Sequence, residues 1–214
     1  MKIKLKYLSL TCFLLPIITV VLSYIWSVRL NLVAYCMPNF EGCTSISKAG
    51  RYEPVKYFFK PLMFIHCLIL FVYWFSLYKK IYSLGSNISS LSLYLSILSV
   101  LFLLLYIFFL GEGKTYTFFR KVGVLIYIFF TIISQFLFSY NIKKFGKIDI
   151  TNLNYKYNNY AFYFTIILIF SAILLLPIIL DKTDDFSNLK NIISWNYFLS
   201  IQIYFLINYF VFKG

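Results

Sequence analysis

The sequence is poor in the residue types that build soluble domains and most catalytic centres. Only 13% of its 214 residues are charged, against about 25% in an average soluble domain. His66 is the only histidine, so one chain cannot assemble a zinc site from two or three histidines. These shortages exclude a soluble globular domain and a multi-histidine metallohydrolase. We therefore expect no metal site and no cofactor.

Charged side chains are also missing from the interiors of the long apolar runs. Ion-coupled transporters usually place an ionisable residue in the bilayer, and none of Asp, Glu, Lys or Arg occurs within these runs. The absence weighs against a transporter, although Gln135, Gln202 and Asn208 remain as uncharged polar groups.

What the chain has in abundance is apolar sequence, at 61% of all residues. Six runs approach or exceed the roughly 20 residues needed to cross a bilayer. Only helices satisfy their own backbone groups in lipid over such lengths. The sequence therefore predicts an all-α polytopic membrane protein, one domain over residues 1–214, built as a bundle of six transmembrane helices. The predicted spans are residues 7–28, 61–78, 91–110, 122–142, 160–180 and 195–212.

The basic residues flank these spans rather than forming a basic domain of their own. The formal net charge of +13 therefore indicates contact with anionic lipid headgroups and not nucleic acid. Three lysines precede the first span and one arginine, Arg29, follows it. Because positive residues favour the cytoplasmic side, we expect both termini in the cytoplasm. The first run is too long for a cleaved signal peptide, so we expect an uncleaved first span. The sequence does not identify a protein partner.

Two cysteines, Cys36 and Cys43, fall in the first loop, on the side opposite the termini. An oxidising compartment there would allow a disulfide between them. The alternative is two unrelated thiols.

The segment 43–61 is the most unusual stretch, because it is polar and carries glycine and proline at spaced positions. Gly50 permits a positive φ, and Pro54 fixes its own φ. We expect an ordered loop folded back on the helices, with a positive φ at Gly50.

The same segment carries a family resemblance. Ser45-Ile46-Ser47, followed by Gly50, Pro54 and Phe59, resembles the pattern I-S-x-x-G-x-x-P-P-x-x-x-x-F of the DRAM/FGF-receptor-activating-protein family. The sequence departs from it at Glu53, where the family more often has a first proline. The similarity in residues covers about 44–75. It implies a six-span protein with lipid-linked roles, including remodelling of glycolipid-anchor acyl chains in some members.

Two sets of residues are candidates for a site. Arg51, Arg120 and Lys121 lie near span ends on one side, and arginine matches phosphate geometry, so they could bind a lipid headgroup; the alternative is that they only anchor the helices at the interface. Ser45 and Ser47 with His66 are weak catalytic candidates, as hydroxyl nucleophile and base. The alternative for His66 is a hydrogen-bonded histidine near the interface.

The leading hypothesis is a membrane protein with a lipid-related, non-catalytic role. The alternative is a membrane enzyme of lipid acyl or headgroup transfer, and a small-molecule transporter is the second alternative. Within the third predicted span, Ser92, Ser96 and Ser99 share one face, which predicts tight helix packing there.

Overall fold

The computed structural model describes residues 5–82, 90–145, 153–180 and 186–212. These residues form helices joined by short connections. In chain order the helices are α1 (Leu5–Arg29), α2 (Pro38–Glu41), α3 (Ile46–Arg51), α4 (Val55–Tyr82), α5 (Leu91–Phe108), α6 (Lys114–Phe145), α7 (Tyr155–Leu180) and α8 (Ser187–Val211). Over the described residues the only strand-like pairing is an isolated bridge between Leu153 and Phe212.

The six long helices form a closed ring. Helices α4 to α8 each pack beside the next one in sequence, and α1 closes the ring by packing between α4 and α8. Helices α1 and α8 are antiparallel, since Ser9 bonds the carbonyl of Phe205 and Tyr24 packs on Trp195. The short helices α2 and α3 lie at one end of the ring. We call this end, with the connections 30–54 and 109–113, the disulfide end.

Five of the long helices are long and apolar enough to cross a membrane: α1, α4, α5, α6 and α7. Helix α8 has 25 residues, as α1 does, but Asn196, Gln202 and Asn208 make it more polar. Gln202 and Asn208 point into the bundle, where they are 1% and 0% exposed. The predicted all-α multi-pass membrane bundle is confirmed. Five of its six long helices qualify as spans by composition alone.

The outside of the bundle is apolar, as lipid contact requires. Leu174 is 77% exposed and Ile167 is 64% exposed, both on α7. A water-soluble monomer rarely exposes so much contiguous apolar surface.

Helices α5 and α6 pack closely, and a glycine makes this possible. A Cβ on Gly123 would lie 3.0 Å from the backbone nitrogen of Tyr106 and 3.1 Å from the carbonyl oxygen of Phe102. The serine face of α5 is buried, but Ser96 and Ser99 donate back to carbonyls of their own helix. The sequence argument identified the buried face and missed the glycine that permits the approach.

The end of the bundle opposite the disulfide end is held by hydrogen bonds between α6, α7 and α8. We call it the network end. Gln135 donates to the carbonyl of Ile201 at 3.2 Å, and Tyr204 donates to the carbonyl of Gln135 at 3.1 Å. Ser139 donates to the Tyr204 hydroxyl at 3.2 Å, and Asn158 donates to the carbonyl of Ser139 at 3.1 Å. Such bonds link helices where lipid supplies no partner.

Candidate functional site

The first loop folds back on the bundle, and α8 holds it there. Three side chains of α8 donate to its backbone carbonyls: Asn191 to Gly42 at 2.8 Å, Trp195 to Thr44 at 2.9 Å and Asn196 to Asn39 at 3.0 Å. Cys36 and Cys43 are joined by a disulfide.

Of the two glycines in this loop, Gly42 has the positive φ and Gly50 does not. Gly42 has φ +65° as the C-cap of α2, the position where glycine is favoured. Gly50 lies inside α3, and a Cβ there would lie 2.6 Å from the ring of Phe59. The expectation of a positive φ at Gly50 was wrong, because the glycine instead makes room for an aromatic ring. Phe59 is fully buried, and the peptide bond before Pro54 is cis.

The serine and histidine candidates are not joined by a hydrogen bond. Ser45 caps α3 by accepting from the backbone nitrogen of Lys48, and its hydroxyl lies 3.3 Å from that of Ser47. His66 lies roughly 16 Å along α4 from Val55, at about 1.5 Å per residue. It is fully buried, and neither ring nitrogen has a hydrogen-bond partner. His66 is thus neither paired with the serines nor the hydrogen-bonded interfacial residue of the alternative view.

His66 faces a cavity of about 50 Å³ inside the ring. Gln202 also lines it, and both polar atoms of its amide lack a hydrogen-bond partner. The Tyr127 ring lines the same cavity, and its hydroxyl lies near Gln202 without the geometry of a hydrogen bond to either amide atom. A cavity of this size has room for a water molecule, which needs about 10–15 Å³, and His66 and Gln202 would supply its polar partners. The rest of the wall is mostly apolar, including Pro16, Phe59 and Met63.

The two arginines of the headgroup hypothesis lie close together at the disulfide end. Arg51 donates to the hydroxyl of Tyr52 at 2.7 Å and lies 4.8 Å from the centre of its ring. Arg120 is only 6% exposed and donates to the carbonyl of Gly111 at 2.7 Å. The two guanidinium groups are near enough for their charges to repel. Lys121, the third candidate, is exposed on α6.

Among the described residues, neither arginine forms an ion pair with a carboxylate. The salt bridge found there joins Lys56 to Glu53 at 3.2 Å. The Nε atom of Arg51 is buried without a hydrogen-bond partner. Gathering two like charges without a counter-charge is unfavourable. The pair is therefore an electrostatically incomplete arrangement, of the kind that an anion would stabilise.

A recess of about 380 Å³ opens beside Arg51. It is lined by Arg51, Tyr52, Glu53, Lys56, Gly111 and Glu112. Arg120 stands behind this wall and fixes the Gly111 carbonyl, while Lys121 does not line the recess. Hydrogen bonds from Tyr57 and then Lys56, together with the Lys56 charge, lower the pKa of Glu53. Glu53 is thus held ionised by its own neighbours.

The described residues contain no group of three or more His, Cys, Asp or Glu side chains placed to hold a metal ion. The recess presents the charged side chains of Arg51, Lys56 and Glu112 and the side chain of Tyr52.

A family model described as "Frag1/DRAM/Sfk1/Cwh43P N-terminal domain" matches residues 4–214. The chain belongs to the Frag1/DRAM/Sfk1/Cwh43P N-terminal domain family. The match extends the resemblance of segment 44–75 over almost the whole chain. No curated protein and no solved structure gives a match to this chain.

Several residues that shape this family member's site carry no distinctive sequence signal. Glu112 and Gly111 come from the loop between α5 and α6, whose nearness to Arg51 depends on the order of helices in the ring. Trp195 and Asn191 anchor the first loop from a distance of about 150 residues. Gln202 was visible as a polar residue in an apolar run, but its orientation was not.

Proposed function

We propose that this protein is a non-catalytic, lipid-binding membrane protein that holds the phosphate of an anionic phospholipid headgroup at the disulfide end. Arg51 lines the recess and contacts the phosphate directly. Arg120 does not line the recess, but it adds positive charge close to Arg51 and donates to the Gly111 carbonyl. The termini lie on the opposite, cytoplasmic side of the membrane.

The observation that carries this proposal is the unpaired charge of the arginines. Arg51 has a buried Nε without a partner, and Arg120 is close by and almost fully buried. A phosphate in the recess that accepts from the Arg51 guanidinium would offset this repulsion. Arginine–phosphate hydrogen bonds are among the stronger ones because both groups are ionised. The recess lies beside the start of α4, which suits a headgroup and not an acyl chain.

Lipid binding to the purified full-length protein tests the proposal. Native mass spectrometry would compare phosphatidylserine binding to the unmodified protein with binding to the variants Arg51→Gln and Arg51→Lys. We expect Arg51→Gln to weaken binding roughly tenfold, since a charge-assisted hydrogen bond contributes about 1.5–3 kcal/mol. Arg51→Lys should restore little, because an ammonium cannot reproduce the forked contact.

Lys121→Gln is the matched control, since it removes one positive charge from the same end without touching the recess. Equal weakening by Arg51→Gln and Lys121→Gln would indicate general charge attraction and would contradict a built site. Unchanged binding in Arg51→Gln would overturn the proposal itself.

The proposed orientation has a separate support and test. The Cys36–Cys43 disulfide suits an oxidising compartment, and three lysines precede the first apolar run, residues 7–28. An impermeant thiol reagent applied to intact cells should label a cysteine placed at Lys48 but not one placed at Lys2. Labelling at Lys2 and not at Lys48 would reverse the orientation.

A further inference from the structure

The recess beside Arg51 carries charges of both signs. Arg51 and Lys56 are positive, while Glu53 and Glu112 are negative. A site for a phosphate alone gains nothing from carboxylates in its wall, since they repel the ligand. The mixture therefore points to a ligand that is itself bipolar.

The two carboxylates differ in what they already contact. Glu53 accepts from Lys56 at 3.2 Å and from Tyr57 at 2.9 Å. Glu112 is exposed, and it has no ion pair or hydrogen bond in the portion of the chain covered by the structure. Glu112 is thus the wall carboxylate that remains available for a ligand, and Arg51 is the wall cation that has no ion pair among the described residues.

The position of Glu112 is defined by the turn that holds it. The Gly111 nitrogen donates to the carbonyl of Phe109 at 3.0 Å, and the Gly111 carbonyl accepts from Arg120. Gly113, on the other side, has φ +111°. Arg120 therefore connects the two halves of the recess, because it lies near Arg51 and fixes the turn that presents Glu112.

We propose that the recess selects aminophospholipids, with the phosphate on Arg51 and the primary ammonium on Glu112. Serine and ethanolamine headgroups share this chemistry, since both carry a primary ammonium two carbons from the phosphate ester oxygen. The inference rests on the proposed phosphate contact at Arg51 and adds the second half of the headgroup. A quaternary ammonium cannot donate a hydrogen bond to Glu112, and a glycerol headgroup carries no positive charge.

Two matched pairs of lipids measure the contribution of the ammonium group to binding by itself. Phosphatidylserine and phosphatidylglycerol both have a net negative charge, but only the first carries an ammonium. Phosphatidylethanolamine and phosphatidylcholine are both zwitterionic, but only the first carries N–H donors. Native mass spectrometry of the full-length protein should show the amine-bearing lipid of each pair binding roughly twofold to fivefold more tightly, as expected for one partly exposed ion pair.

Variants of the recess then test whether Glu112 is responsible for the preference for amine-bearing lipids. Glu112→Gln should abolish the preference within each pair and leave phosphatidylglycerol binding unchanged or slightly tighter. Glu112→Lys should reverse the preference in favour of phosphatidylglycerol. Glu53→Gln is the control from the same recess and should keep most of the preference, because Glu53 is already occupied by Lys56 and Tyr57.

The outcomes separate this inference from the proposed function. Equal binding within both lipid pairs, or a preference that survives Glu112→Gln, would overturn the aminophospholipid assignment and leave the arginine–phosphate contact standing. Loss of all lipid discrimination together with no effect of Arg51→Gln would remove both. A normal elution profile of each variant shows that the bundle has folded.

Discussion

The two ends of the bundle bury polar side chains in different ways. At the network end, Gln135, Ser139, Asn158 and Tyr204 each make at least one hydrogen bond across helices α6, α7 and α8. Around the cavity inside the ring, no polar side-chain atom of His66 or Gln202 has a hydrogen-bond partner, and at the disulfide end Arg51 has a buried unpaired Nε. At the network end Gln135 and Asn158 also leave their amide oxygens unpaired, but their amide nitrogens are bonded.

This difference distinguishes polar groups that stabilise the fold from polar groups that the fold leaves without a partner. A buried polar group that is bonded within the protein stabilises one packing of the helices. A buried polar group without a partner costs about 1–3 kcal/mol, and proteins retain such groups at functional sites more than elsewhere. The network end therefore supplies hydrogen bonds that link the helices, whereas the side chains of His66 and Gln202 supply none.

The largest expected effect comes from breaking the loop that forms the disulfide end. In Gly42→Val a Cβ would meet the backbone of Asn188, and the residue would keep a left-handed φ of +65°. Strain and overpacking together should lower the unfolding free energy by roughly 2–4 kcal/mol. The change would appear as a lower thermal midpoint in detergent and faster proteolysis within residues 30–54.

Gly111→Ala is the control for this variant. Its Cβ would meet only the side chain of Tyr116, at 3.0 Å, and Tyr116 is exposed and free to move. A cost of about 0.5 kcal/mol or less is expected. Equal midpoints for Gly42→Val and the unmodified protein would contradict the described anchoring of the loop on α8.

The network end is tested by Gln135→Leu. This change removes the donor to the Ile201 carbonyl while filling a similar volume. The expected loss is at most about 1.5 kcal/mol, the upper part of the range for hydrogen bonds between membrane helices, because the variant also removes the unpaired buried Oε1 of Gln135. Steric-trapping or thermal unfolding measurements in one detergent would show the loss, and unchanged stability would mean that the network does not hold the helices.

Gln202→Leu provides a contrast with Gln135→Leu, because its expected effect on the free energy of unfolding has the opposite sign. Neither amide atom of Gln202 is bonded, and its side chain is 1% exposed. Replacing an unpaired buried amide with an apolar side chain should leave stability unchanged or raise it by about 1 kcal/mol. If Gln202→Leu destabilises the protein as much as Gln135→Leu does, the two regions do not differ in the way described.

The helices could be predicted from sequence because hydropathy reports directly on the cost of burying backbone in lipid. Four of the six runs therefore fall within observed helices, and the runs 91–110 and 195–212 extend two residues and one residue past the ends of α5 and α8. The site could not be predicted in the same way. Gly50 was given the wrong role because glycine serves both positive φ and close packing, and only the position of Phe59 distinguishes the two.

The arginine residues show that long-range contacts also could not be predicted from the sequence. Arg51 and Arg120 were candidates because both lie near span ends, yet their separate roles depend on the fold. Arg51 lines the recess, and Arg120 supports the Gly111 turn from behind. Lys121 had the same charge and almost the same position in sequence, but one step along a helix rotates a side chain by about 100°.

The smallest expected effect concerns Glu53 at the rim of the recess. Its pKa is lowered from the ordinary value of 4.5 by hydrogen bonds from Tyr57 and Lys56 and by the Lys56 charge. A carboxyl group with a lowered pKa in the folded state contributes stability above its unfolded pKa and loses it as the pH falls through the folded value. Because Glu53 is solvent-exposed, with 62% of its side chain accessible, this contribution is small and is best measured at the carboxyl group itself.

A ¹³C NMR titration should give a Glu53 pKa below 4.5, and Tyr57→Phe should raise it, since the Tyr57 hydrogen bond is the largest cause. A pKa that is already at 4.5, or one that Tyr57→Phe leaves unchanged, would mean that Glu53 is not held by its neighbours. It would then be as available as Glu112 for the ammonium of a headgroup, and Glu53→Gln would no longer serve as a neutral control.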